Sequence, residues 1–122
     1  MSTILIDHHD GHGLNESIEI TSDDRDPNAG GASHVYDFTI AGQSVGHLQF
    51  QHGARNVPGS VPGLTEAAVF VAAIDRYRAF QAGPFACREN AIILTKLEEC
   101  LHWTRARADA RAKRGVLGKN EK

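Results

Sequence analysis

Hydrophobic and polar residues alternate along three short stretches in the first half of the chain, at residues 17–21, 34–40 and 44–51. A period of two residues is typical of β-strands that bury one face. The last two stretches are joined by Ala41-Gly42-Gln43, and so short a glycine-containing connection favours an antiparallel hairpin. We therefore expect a small antiparallel sheet whose apolar face needs a partner layer.

The pattern becomes helical after residues 53–63, a glycine- and proline-rich crossover. Residues 64–81 are alanine-rich, with Thr65 as the expected N-cap, and Gly83-Pro84 supplies a C′ glycine and a stop. A second helix is predicted from about residue 85 to residue 114, ending at Gly115, so the two helices form an antiparallel hairpin. The predicted fold class is α+β, with residues 1–62 as the β-rich region and residues 63–122 as the helical hairpin, one compact unit.

Composition limits the class of protein. The chain has 122 residues, 41% of them hydrophobic and 23% charged, as in an ordinary small soluble domain. It contains no apolar run of about 20 residues and no basic, apolar leader, so we expect neither a membrane span nor export. Cys87 and Cys100 fit neither a zinc pair nor a redox motif, and are predicted to be small apolar core residues.

Charge is distributed unevenly along the chain, although the formal net charge is −2. Residues 1–31 hold seven acidic side chains and one arginine, whereas residues 101–122 hold seven basic and two acidic ones. This division indicates an anion-binding C-terminal end, a head-to-tail contact between protomers, or a solvated helix end favoured by the helix dipole. A nucleic-acid-binding module using the basic end of the second helix is the alternative function, and the acidic N-terminal third argues against it.

Two candidate binding residues fall near the turn between the helices. Asn90 lies on an apolar helical stripe, where an amide has to find polar partners. It either caps the first turn, bonds to the preceding loop, or contacts a polar ligand at the end of the hairpin. Phe80 ends the first helix beside the start of the second and, considered alone, is a core residue. The apolar members of the Asn90 stripe are Leu94, Leu97 and Leu101.

Trp103, Arg107 and Arg111 follow each other at intervals of four residues on the second helix. Such a row offers a stacking plane and bidentate phosphate donors, unless it is a solvated basic face. Arg55-Asn56, in the glycine- and proline-rich segment, is either loop polarity or a contact to a ligand phosphate.

Catalytic and metal chemistry have little support. Residues 7–12, Asp-His-His-Asp-Gly-His, carry enough donors for a divalent ion but lack a helix or strand to fix them. His34, His47 and His52 are predicted on sheet faces. The chain has no HExxH, Walker A or GxGxxG pattern. We therefore predict no catalytic residues, no metal and no cofactor.

The sequence Phe-Gln-Ala-Gly-Pro-Phe-Ala-Cys-Arg-Glu-Asn at residues 80–90, continuing through residue 99, resembles the helical hairpin of two phage sponge families. These are the Thoeris anti-defence proteins and the anti-CBASS cyclic-nucleotide sponges. The similarity continues through Trp103 to Arg114-Gly115-Val116 and covers about half the chain. The β-containing N-terminal half, with Arg55-Asn56, resembles the Thoeris branch.

The resemblance implies that the protein sequesters glycocyclic ADP-ribose, the Thoeris signal, in the cytoplasm of the infected bacterial host without cleaving it. Phe80 and Arg107 would sandwich the adenine, Asn90 would bond the base or ribose, and Arg55 and Arg111 would hold phosphates, with Asn56 beside them. The alternative hypothesis, that the protein is an enzyme that degrades such signals, has to be excluded by experiment.

The resemblance also implies a homodimer, or a hexamer built as a trimer of dimers. In hexamers of the family a second site takes cyclic di- or trinucleotides near the positions of Arg114 and Gly115. Residues 117–119 here are Leu-Gly-Lys where related chains carry Glu-Gly-Thr, so this second site departs from the family pattern.

Overall fold

A computed structural model describes residues 2–52 and 58–115 of the chain. Its contacts divide it into two compact units, Met1–Gly63 and Leu64–Lys122. The first unit is a four-stranded antiparallel sheet and the second is a pair of helices, so the predicted α+β class is confirmed.

The sheet has the strand order β1-β2-β3-β4, each strand antiparallel to its neighbours. Its strands are β1 (Thr3–Leu5), β2 (Ile18–Ser22), β3 (Val35–Ile40) and β4 (Gln43–Gln49). The three alternating stretches of the sequence correspond to β2, β3 and β4. The sequence analysis missed β1, because three residues are too few to show alternation and pairing with β2 defines the strand.

The predicted hairpin joins β3 to β4 through a two-residue turn at Ala41 and Gly42. Both residues have positive φ, 49° and 80°, as expected of the tight turns whose twist suits antiparallel strands. A register shift follows Phe38, which pairs with Gly46. A β-carbon at Gly46 would lie 3.4 Å from the Phe38 ring, an ordinary van der Waals distance, so the ring does not exclude a small side chain at this position.

The loop between β1 and β2 is organised by the carboxylate of Glu16. It accepts hydrogen bonds from the backbone N–H groups of Asp10, Gly11 and Gly13. These bonds, those from Gly11 and Gly13 foremost, lower the pKa of Glu16 from 4.5 to about 2. The loop is therefore held by an ionised side chain rather than by apolar packing.

The hairpin consists of α1 (Glu66–Ala82) and α2 (Arg88–Lys113). The predicted N-cap is confirmed, because the Thr65 hydroxyl accepts the N–H of Ala68 at 3.2 Å. α1 ends at the predicted glycine: Gly83 is its C-cap, extended with φ −129°, and its N–H donates to the Phe80 carbonyl. The predicted second helix began too early, because the segment before Cys87 forms the connection.

The helices pack along seams with spacings of three and four residues, as in antiparallel helix pairs. Ile74 is the one buried apolar side chain among the described residues, 1% exposed. Neither helix is long and apolar enough to span a membrane, as judged over the described residues. The less exposed side chains of α2 on its seam are Asn90, Leu94, Leu97, Leu101, Thr104, Ala108 and Arg111.

Candidate functional site

The turn between the helices is fixed by side-chain hydrogen bonds. The Gln81 side-chain oxygen accepts the N–H of Cys87 at 3.0 Å, and the Cys87 sulfur accepts the N–H of Asn90 at 3.4 Å. Cys87 is thus the N-cap of α2. The prediction that both cysteines are core residues is wrong, since Cys87 and Cys100 are exposed thiols. A capping role requires the thiol at the helix end rather than in a core.

Asn90 secures the same turn. Its side-chain amide donates to the carbonyl of Phe85 at 3.0 Å, which is the loop-bonding alternative left open by the sequence. The bond uses one amide N–H, and the amide has a second N–H and an acceptor oxygen. Asn90 is half-buried at the end of the hairpin. The structural bond therefore orients the amide and leaves part of its hydrogen-bonding capacity for a ligand.

Phe80 lies in an aromatic group beside Asn90's turn. Its ring meets Tyr77 and Phe85 edge to face, with centroids 5.3 and 6.2 Å away. The guanidinium of Arg76 lies 5.4 Å from the Phe80 centroid, within cation–π range. The sequence analysis missed Arg76, although its position four residues before Phe80 on one helix was a usable signal. Phe85, 69% exposed, extends the aromatic surface into solvent.

A second feature is an open groove on the hairpin, with a volume of about 490 Å³. This lies within the range of about 300–1,000 Å³ that is usual for small-molecule pockets. Trp103 contributes a ring that is 68% exposed, and Arg107 also lines the groove. Phe70, which the sequence placed simply within a helix, forms the apolar floor. The lining residues are Phe70, Lys96, Glu99, Cys100, Trp103, Thr104 and Arg107.

Arg111 does not share the face of Trp103 and Arg107. It is buried, 6% exposed, on the helix seam. Residues four apart on an α-helix are rotated by about 40°, so a row of three drifts by about 80°. The predicted Trp-Arg-Arg row is therefore divided, with Trp103 and Arg107 facing the groove and Arg111 facing the neighbouring helix. The alternative, a solvated basic face on α2, therefore does not include Arg111, which is buried.

The turn and Arg107 lie far apart along one hairpin. Asn90, which bonds to the Phe85 carbonyl beside the Phe80 ring, and Arg107 are seventeen residues apart on α2. At 1.5 Å per residue this is about 25 Å along the helix axis. One chain thus brings Phe80 and Asn90 together at the turn and leaves Arg107 toward the opposite end.

The remaining predicted binding residues are Arg55, Asn56, Arg114 and Gly115. Arg55 and Asn56 lie outside the described residues. Arg114 is the C-cap of α2, where its N–H bonds to carbonyls of the last turn, and Gly115 follows with φ 72°. Both are exposed. The described chain thus ends α2 with a left-handed glycine, as the sequence predicted.

The histidines of the N-terminal segment make local bonds. His8 contacts the carbonyl of Ile18 at 2.7 Å, and Asp10 accepts the N–H of His12 at 3.1 Å. Within residues 2–52 and 58–115, the potential metal ligands whose donor atoms converge are Asp26, His34 and His52. The sequence analysis placed the two histidines on sheet faces and missed this cluster, because its members lie outside the four strands, in separate connecting segments.

Comparison with known proteins identifies similar sequences. Residues 47–109 match the family model described as "Acb2/Tad1, hairpin domain". The Thoeris anti-defense 1 protein of Bacillus phage SBSphiJ7 is 40% identical over 72 residues, or 59% of this chain and 46% of that relative. The chain thus spans about half the length of the relative it matches. The range matched by the family model contains Phe80, Asn90 and Arg107, whereas Arg111 and Arg114 lie beyond its end.

Proposed function

The chain belongs to the Acb2/Tad1 hairpin family, as its resemblance predicted, and from this premise we propose that it is a phage anti-defence protein that captures a cyclic nucleotide signal. The ligand we propose is glycocyclic ADP-ribose, held intact in the cytoplasm of the infected host. The relative's name, Thoeris anti-defense 1, supports this branch of the family. The observation that carries the proposal is the open groove of about 490 Å³ lined by Trp103 and Arg107, whose volume lies in the usual range for small-molecule sites.

We propose further that each binding site is built from two copies of the chain. An adenine held between a ring and a guanidinium needs each within about 6 Å of its own centre. Phe80 lies at the turn with Asn90, and Arg107 is about 25 Å farther along α2, so one chain is a poor candidate for both walls. In a two-fold dimer, the turn of one copy can lie against the groove of the other.

Exposed apolar surface on the hairpin supports association. In the isolated chain Phe85, Val71, Ile92 and Trp103 are between 44% and 69% exposed, although side chains of these types favour burial. Because a two-fold interface uses the same patch on both copies, it would bury part of this apolar surface on each of them. We propose a homodimer as the binding unit, and a hexamer of three dimers as the larger assembly.

We propose the roles of the polar residues from the family resemblance. Asn90, already oriented by the Phe85 carbonyl, would bond the base or ribose through its remaining donor and acceptor. Arg107 would stack on the adenine. Arg55 and Arg111 would hold phosphates, with Asn56 beside them, and Arg114 with Gly115 would contribute to a second site for cyclic oligonucleotides.

Titration calorimetry of the purified protein with glycocyclic ADP-ribose tests the proposal. We expect one ligand per chain and a nanomolar Kd, which corresponds to a binding free energy of about −12 kcal/mol. Asn90→Ala should weaken binding by at least about tenfold, because a polar ligand group would lose a hydrogen-bond partner. Thr95→Ala, on the same helix and outside the groove lining, is the matched control. Equal binding by the wild type and Asn90→Ala would show that the site is assigned to the wrong residues.

The same titration distinguishes the proposed function from the nucleic-acid-binding alternative. A module that binds nucleic acid through α2 would prefer oligonucleotides and lose affinity steeply as salt is raised. Absence of glycocyclic ADP-ribose binding together with salt-sensitive oligonucleotide binding would replace the proposal by this alternative.

A further inference from the structure

We propose that Asp26, His34 and His52 form a binding site for a divalent transition-metal ion, with Zn²⁺ as the ion that best fits the donors. The three side chains come from separate parts of the first unit: a 3-10 turn, the residue before β3, and the segment after β4. Two imidazoles and one carboxylate form a donor set that suits zinc better than magnesium or calcium.

The donor atoms are close to zinc geometry. The Asp26 Oδ2 lies 2.8 Å from His34 Nε2 and 3.5 Å from His52 Nε2, and the ligand atoms of all three residues lie within 4.8 Å of one another. With zinc–ligand distances of about 2.0–2.1 Å, tetrahedral ligands are about 3.3 Å apart. The Asp26–His52 distance already fits, and the Asp26–His34 distance has to open by about half an ångström.

The backbone holds Asp26 in place independently of the ligand. Its N–H donates to the Ala32 carbonyl at 2.8 Å, and its Oδ1 accepts the N–H of Asn28 at 2.9 Å. Since Oδ1 is used in this cap, Oδ2 is the oxygen presented to the histidines.

Both histidines are also anchored through their backbones. The N–H of His34 donates to Asp23 Oδ1 at 2.9 Å, and its carbonyl accepts the N–H of Phe50 at 2.7 Å. His52 exchanges two backbone hydrogen bonds with Val61, of 2.8 and 2.6 Å. Three ligands fixed in this way form much of a metal site before the ion binds, so little ordering entropy opposes binding.

The two imidazole rings are stacked, 4.1 Å apart and inclined by 13°, and both direct Nε2 toward the same carboxylate oxygen. A shared ion needs the two nitrogen lone pairs to converge rather than run parallel. His34 is buried, 8% exposed, whereas the His52 side chain is 52% exposed and has room to tilt. With three protein ligands, a water molecule would complete a four-coordinate site.

The experiment measures zinc bound to the full-length protein without a histidine tag. The protein is stripped with EDTA, loaded with Zn²⁺, and dialysed, and its zinc content is determined by mass spectrometry. Its Kd is then obtained by competition with a chromophoric chelator. The variants are His52→Ala, whose side chain is half-exposed, and Asp26→Asn, which retains an oxygen to cap the 3-10 turn. The control is His47→Ala, since His47 pairs with Asp37 at 2.6 Å on the exposed sheet without belonging to the cluster.

We expect one zinc per wild-type chain and a rise in Tm on loading. Both cluster variants should bind zinc at least about tenfold more weakly. Substitution of residues that only orient metal ligands already lowers metal affinity by this factor, and Asp26 and His52 would be ligands themselves. His47→Ala should bind as the wild type does, and circular dichroism checks that every variant folds. The proposal is overturned if the wild type retains no zinc. It is equally overturned if His52→Ala and Asp26→Asn bind zinc unchanged, or if His8→Ala removes the zinc while they retain it.

Discussion

Complementation between two inactive variants tests whether the nucleotide site is shared between copies. Phe80→Ala removes the aromatic wall at the turn, and Arg107→Ala removes the guanidinium from the groove. Phe80 lies at the turn with Asn90, and Arg107 is about 25 Å farther along α2. If each site takes Phe80 from one copy and Arg107 from the other, a heterodimer of the two variants contains one doubly damaged site and one intact site.

The size of each loss follows from the contacts removed. Stacking of a base on an aromatic ring contributes about 1–3 kcal/mol, so Phe80→Ala should raise the Kd by about 5- to 150-fold. The guanidinium contact contributes about 0.5–2 kcal/mol, or about 2- to 30-fold for Arg107→Ala. Retained circular dichroism and dimer mass are needed for both variants, because Phe80 also packs against Tyr77 and Phe85.

The assay uses heterodimers purified through two different affinity tags and titrated with glycocyclic ADP-ribose. A shared site predicts one high-affinity ligand per Phe80→Ala/Arg107→Ala heterodimer, half the wild-type number. The reciprocal control pairs wild-type chain with a chain carrying both substitutions. There a shared site predicts no high-affinity ligand, whereas a site within one chain predicts one. A heterodimer of single variants that binds nothing, with a reciprocal control that binds one ligand, would refute the two-copy site.

Two further predictions concern the first unit. Because the folded-state pKa of Glu16 is about 2 against an ordinary 4.5, its ionisation stabilises the fold fully above pH 4.5, and that contribution is lost as the pH falls toward 2. Urea denaturation across this range should therefore show a smaller loss of stability for Glu16→Gln than for wild type, and parallel curves would contradict the assignment. Gly63→Ala would place a β-carbon 2.5 Å from the Phe50 carbonyl carbon, and should destabilise by about 1–3 kcal/mol. Gly46→Ala is the control in the same denaturation assay, because its β-carbon would lie 3.4 Å from the nearest atom. Equal losses of stability in the two variants would contradict the steric argument.

The hairpin could be predicted from the sequence because its signals are local. Thr65 caps α1 through a bond to a residue three positions on, and the alanine-rich period extends over several turns. The same kind of local signal gave β3, β4 and their tight turn. Strand β1 could not be predicted, since pairing with β2 rather than its own pattern defines it.

What the sequence did not predict at the helix ends has a common physical origin. The thiol of Cys87 caps α2, a role that residue statistics assign to serine, threonine, aspartate and asparagine. Gly83 ends α1 in an extended rather than a left-handed conformation. In both cases the sequence located the helix end to within a few residues. The connecting turn then determined which capping bond or backbone conformation the residue adopts there.

The candidate sites depended on distances that sequence spacing does not supply. The sequence favoured Phe80, Asn90 and Arg107 as binding residues, but the length of the helices separates the first two from the third. Arg111 turned away from the groove because 3.6 residues per turn do not divide evenly into steps of four. The Asp26–His34–His52 cluster depended on the folding of loops, and no periodic pattern indicated it.

Recovery of the captured ligand tests the central claim most directly. The purified protein is incubated with glycocyclic ADP-ribose and removed by filtration, and the filtrate is analysed by mass spectrometry. The retained protein is then denatured by heat, and the released nucleotide is identified in the same way. We predict depletion of the filtrate followed by recovery of the unchanged ligand in an amount equal to that captured. Recovery of a cleaved nucleotide would contradict sequestration in favour of an enzyme, and an undepleted filtrate would contradict binding of this ligand.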